Sequence, residues 1–121
     1  MTIEPLVSLR QICLDFPETT EKETWGHPTF RVNDKMFVAC SSDRTAGSTM
    51  TLKAPPGEQK LLLASADRFF YPSYVGASGW IGMNLSKSTD WDEVRELVDD
   101  SYRLIAPTRL VKSLDEALGK S

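Results

Sequence analysis

Thr29-Phe30-Arg31-Val32-Asn33-Asp34-Lys35-Met36-Phe37-Val38-Ala39-Cys40 decides the fold. Apolar and polar residues alternate on both sides of Asn33-Asp34, the period of a strand with one covered face. Asn and Asp tolerate the left-handed backbone of a two-residue turn, so the stretch predicts an antiparallel hairpin. Regular pairing around that turn sets Phe30 opposite Phe37 on one face and directs Arg31, Met36 and Val38 to the other.

The same period extends outward from this hairpin. Before it, Thr20 to Trp25 alternates acidic with other residues until Gly26-His27-Pro28 interrupts. After it, Ser48 to Lys53 turns Met50 and Leu52 inward and Thr49, Thr51 and Lys53 outward, with the polar Ser41–Gly47 reading as a loop. Pro55-Pro56-Gly57 breaks the sheet, and Pro56 starts a short helix through Leu61, Leu62 and Leu63. The aromatic, glycine-bearing Phe69–Gly79 reads as an ordered loop. Trp80 to Leu85 alternates again, with Ile81, Met83 and Leu85 against Trp80, Gly82 and Asn84.

The two ends are helical. Thr2 is a candidate cap for a helix over residues 3–16, in which Leu6, Leu9, Cys13 and Phe16 make one stripe before Pro17 ends it. Asp90, with Glu93 three residues on, caps a helix burying Val94, Leu97, Val98, Ser101 and Ile105. Pro107 opens a last helix with Leu110, Val111, Leu114 and Leu118. The sum is an α+β, two-layer sandwich, an antiparallel sheet with the N- and C-terminal helices packed on one face, in a single domain over residues 1–121.

At 121 residues the chain is too short for a TIM barrel or a two-domain cofactor enzyme. Its 14 basic and 17 acidic side chains leave a net charge of -3, which excludes a uniformly basic nucleic-acid binder. The charge is unevenly spread: net -3 over residues 1–25, +3 over 26–87 and -3 over 88–121. The strand region is therefore basic between acidic helical ends. No apolar run is long enough for a signal peptide or a membrane span, so a cytoplasmic protein with no membrane partner is expected. Cys13 and Cys40 form no CxxC pair and read as buried, reduced thiols.

With helices on one sheet face, the other should carry Arg31, Thr49, Thr51, Lys53, Trp80 and Asn84. Cations beside an aromatic on an open sheet suit a phosphate-bearing partner, the indole offering a surface on which a base can stack. Nothing in the sequence builds a catalytic centre. His27 is the only histidine, no GxSxG elbow or P-loop is present, and one His with two distant Cys cannot make a structural zinc site. A non-catalytic binding domain without a cofactor, acting as a monomer, is the expectation.

The succession Gly26-His27-Pro28-Thr29-Phe30-Arg31-Val32 and Asp34-Lys35-Met36-Phe37-Val38-Ala39 resembles the MmcQ/YjbR-like family. The likeness continues through Thr51-Leu52-Lys53, Tyr74, Trp80-Ile81-Gly82-Met83-Asn84-Leu85 and Asp99-Asp100-Ser101-Tyr102, covering about residues 5–106. The resemblance implies a frataxin-like, or double-wing, fold and a DNA-binding role. The matching positions that could touch DNA are Arg31, Lys35, Lys53, Tyr74 and Trp80. The alternative is a protein-interaction module or one that binds metal weakly. For the metal, a frataxin-like fold would use the acidic residues Asp15, Glu18, Glu21 and Glu23, or Asp92, Glu93, Glu96, Asp99 and Asp100, to hold Fe²⁺ or Mn²⁺.

Overall fold

Helix α1 (Pro5–Leu14) leads into β1 (Thr20–Thr24), β2 (His27–Val32), β3 (Lys35–Asp43) and β4 (Gly47–Lys53). There follow α2 (Glu58–Ser65), β5 (Phe69–Phe70), a single 3₁₀ turn (Gly76–Ser78), β6 (Trp80–Leu85), α3 (Trp91–Ile105) and α4 (Thr108–Ala117). This computed structural model describes residues 5–24, 26–43, 47–86 and 88–119. The candidate cap Thr2 lies outside them, as does Trp25.

The strands form one six-stranded sheet in the order β1-β2-β3-β4-β6-β5, with every neighbouring pair antiparallel. α1 and α3 pack together, and α3 lies across β3 and β4. The α+β sandwich read from the sequence is the observed architecture. Asp90 caps α3 as anticipated, its Oδ1 accepting from the backbone N–H of Asp92 and Glu93. Among the described residues no helix is long and apolar enough to cross a membrane.

The deciding hairpin differs from the regular pairing in one respect. Asn33 and Asp34 both have positive φ, 51° and 61°, as a tight primed turn requires. Val32 faces Lys35 and Arg31 faces Met36, but Phe30 faces Val38. Phe37 is therefore the extra residue of a β-bulge, and it is not Phe30's partner. The reason is burial. Phe37 and Val38 both join the core beneath the helices, which strict alternation cannot achieve because it sends adjacent residues to opposite faces. The Phe37 ring meets Phe16 at 6.5 Å and Tyr102 at 5.3 Å between centroids, while Val38 joins Phe30 against the helices.

A bulge leaves backbone groups outside the ladder, and Ser101 of α3 meets that need. Its buried hydroxyl donates to the Phe37 carbonyl at 2.6 Å and accepts from the Lys53 N–H at 3.0 Å. One side chain thus ties α3 to β3 and β4 together. Nearby, Tyr102 is wholly buried and its hydroxyl donates to the Pro17 carbonyl at 2.7 Å.

Two segments read as loops are partly strand. Ser41, Ser42 and Asp43 pair with Thr49, Ser48 and Gly47, so the β3–β4 hairpin runs on past the expected boundary. Phe69 and Phe70 pair with Met83 and Gly82 as a short edge strand. The inward residues Met50, Leu52, Ile81, Met83 and Leu85 are all buried. The two cysteines are free and buried.

Candidate nucleic-acid interface

Alternation along β1 and β2 sorts the charges between the two sheet faces. Glu21 points to the helix side, where Arg10 of α1 donates to it through Nε at 2.6 Å and Nη2 at 3.0 Å. Lys22 takes the opposite side, in register with Thr29. Arg31 follows two residues after Thr29 on that same face. Lys53, two residues beyond Thr51, stands level with it two strands away. Among the described side chains, the strand positions of this open face carry the cations Lys22, Arg31 and Lys53.

Arg31 is held without being neutralised. Its Nε donates to Thr29 Oγ1 at 3.3 Å, its Nη2 to Thr24 Oγ1 at 3.2 Å and its Nη1 to the Asp34 carbonyl at 3.5 Å. The other described arginines (Arg10, Arg68, Arg95, Arg103 and Arg109) each pair with a carboxylate. Lys53 is likewise anchored by a neutral group, its Nζ donating to the Ser78 carbonyl at 3.0 Å. An ammonium has three donors, so two of them remain.

Beside these cations the open face is hollow. Small residues line its middle, with Thr29, Ala39, Thr51 and Gly82 in one row and Ser41, Thr49 and Asn84 in another. The chain from Phe70 to Val75 rises along one side and leaves a groove of about 630 Å³ whose lining is mainly apolar. Ala39, Ser41, Thr49 and Thr51 form its floor, Phe70, Pro72, Tyr74 and Val75 its wall, and His27 stands at its margin.

That wall is built rather than loose. The Phe70 ring lies over Gly82, where a Cβ would come within 2.3 Å of it, and the Tyr71 ring covers Gly76, where a Cβ would come within 2.5 Å. Neither glycine position has room for a side chain. Gln59 of α2 donates from Nε2 to the carbonyls of Gly76 at 2.8 Å and Trp80 at 2.7 Å. Backbone bonds from Gly76 to Pro72, Ser78 to Val75 and Gly79 to Gly76 close the turns between.

The five sequence candidates therefore part company. Arg31 and Lys53 share the open face. Tyr74 stands at the lip of the groove, 100% exposed and with φ of 66°, a conformation unfavourable for a bulky side chain. Lys35 pairs with the buried Val32 and lies exposed at the hairpin end, off the row of Arg31. Trp80 faces Lys53 across β4 and β6, but it is only 8% exposed. Its ring is covered, which removes the stacking surface expected of it. Lys22 and the groove wall were missed. The signal that could have found the wall was Gly82, a glycine inside a strand, which marks a close approach by another group.

Part of each acidic cluster is taken up by arginines. Asp15 pairs with Arg95, Glu18 with Arg109, Glu93 with Arg68, and Asp99 with Arg103, which also reaches Asp115. The Arg109 guanidinium holds the Glu18 carboxyl below its ordinary range. Among the described residues, no group of three or more His, Cys, Asp or Glu is placed to hold a metal ion.

The family model of YjbR matches residues 14–104, the whole sheet and most of α3. The chain belongs to the YjbR family. A solved structure, that of Deinococcus radiodurans protein DR2400, a DUF419 domain, superposes with a TM-score of 0.73. The similarity covers 100% of this chain and 92% of that one at 19% identity, a likeness of fold. No curated protein matches the chain. The match places the open face and the groove wall of this YjbR-family chain within the family segment.

Proposed function

We propose that this YjbR-family chain is a small, non-catalytic, cytoplasmic DNA-binding domain that uses its open sheet face. The observation that carries the reading is Arg31, oriented by two hydroxyls and a carbonyl and, among the described residues, matched to no carboxylate. A guanidinium fixed in this way keeps its charge and part of its donor fork for an incoming phosphate. Lys53 and Lys22 extend the positive surface along the same face. The net charge of -3 is compatible with this, because residues 26–87, which carry most of the sheet, are themselves net +3.

Fluorescence anisotropy with labelled single- and double-stranded DNA over a salt series tests the proposal. Affinity is expected to fall as salt rises, and Arg31→Glu and Lys53→Ala are each expected to weaken binding and flatten the salt dependence. Absence of binding to both DNA forms at low salt overturns it.

A further inference from the structure

The lysines and arginine of the open face do not line the groove, and His27 at its margin is the one basic side chain among its described lining residues. Its floor of Ala39, Ser41, Thr49 and Thr51 and its wall of Phe70, Val75 and Tyr74 are neutral. At about 630 Å³ it falls within the range of sites that hold small organic groups. Lys53 follows Thr51 by two residues and Arg31 follows Thr29 by two, so the charged row lies about 7 Å along the strands from the neutral row. A neutral aromatic-walled groove beside a fixed row of cations matches the two halves of a nucleotide, base and phosphate.

We infer that the groove receives an unstacked base of single-stranded DNA, with Tyr74 against the base face and the neighbouring phosphates on Lys53 and Arg31. This rests on the DNA-binding reading above and adds to it a preference for unpaired strands. Three features support the assignment. Tyr74 is held fully exposed in a strained backbone conformation, the kind of strain that persists where the surrounding structure over-determines it. The wall behind it is fixed in advance by Gln59 and by the ring-over-glycine contacts, so little ordering is needed on binding. The hydroxyls of Ser41, Thr49 and Thr51 each donate and accept, so they can meet the edge of any base. Duplex bases would first have to leave their stack.

The test compares a labelled oligothymidylate with an abasic strand of equal length, which keeps the phosphates and lacks the bases, and with a duplex. The wild-type chain is expected to bind oligothymidylate at least about fivefold more tightly than the abasic strand. It should also prefer oligothymidylate to the duplex. Tyr74→Ala and Thr51→Leu, the second filling the groove from its floor, are expected to abolish that preference. Far-ultraviolet circular dichroism melts verify that both variants fold. Equal binding of the base-bearing and abasic strands, or a preference that survives in both variants, overturns the base groove and leaves the charged face standing. Failure of every strand to bind at low salt removes the DNA-binding reading itself.

Discussion

Arg103 and Arg31 are both half-buried arginines, and their partners differ. Arg103 on α3 donates to Asp99 on its own helix and reaches Asp115 on α4, so its charge is cancelled where it stands and fastens two helices. Arg31 on β2 donates to two threonine hydroxyls and a carbonyl, so it is equally well placed and remains a cation. The same division holds for the layers to which they belong. The helix side pairs its described arginines with carboxylates, and the open sheet face presents cations on neutral supports. On the reading proposed above, Arg103 is spent on stability and Arg31 is left for an external anion.

The most severe way to break this division is to place unpaired charge inside the helix–sheet core. Burial pushes the Cys40 thiol from its ordinary 9.0 up to about 11 and the Cys13 thiol higher still. Burial likewise pushes the Tyr102 phenol from 10.0 up to about 12. Above pH 9 the unfolded chain releases the thiol protons, and above pH 10 the phenol proton, while the folded chain retains them, so stability is full below pH 9 and declines as pH rises toward 11. The expected slope is about 1.4 kcal/mol per pH unit for each thiol. Urea midpoints across that window measure it, and a flat profile would falsify the assignment of both thiols to the dry core.

Ser101→Ala strikes the tie between the layers. It strands the Phe37 carbonyl and the Lys53 N–H in a buried setting, with an expected loss of about 2–3 kcal/mol in chemical denaturation. A loss within error of zero would mean that the bulge closes on itself without α3.

Arg31→Glu tests the open face alone. DNA affinity at low salt should drop about tenfold, close to 1.4 kcal/mol, with the urea midpoint near the wild-type value. If stability falls and affinity does not, Arg31 belongs with the structural arginines and the comparison collapses. The converse change is the mildest. Arg103→Ala should cost about 0.5–1 kcal/mol of stability and leave DNA affinity unaltered, so a clear drop in affinity would contradict the separation of roles.

Much of the fold was legible because it depends on local pattern. Met50 with Leu52, and Ile81 with Met83 and Leu85, show the two-residue period of a half-covered strand and are buried as that period requires. Asn33-Asp34 and Asp90 carry their turn and cap chemistry in their own side chains. The bulge was not legible, because Phe37 and Val38 are equally apolar and only the two rings facing Phe37, those of Phe16 and Tyr102, show that both must turn inward. Ser41 to Asp43 read as a loop because all three are polar and lack the apolar half of the pattern.

For the candidate site, alternation alone put Arg31, Thr51 and Lys53 on one face. It could not tell the covered Trp80 from the bare Tyr74, since both are aromatics in the same region and their exposure depends on how residues 70–79 fold over the sheet. By itself, then, the sequence determined which residues share a face, through strand alternation, turn residues and caps that act over a few positions. Tertiary structure alone decided which described arginine goes without a carboxylate, which aromatic stays exposed and where the groove lies, because each depends on groups brought together from distant parts of the chain.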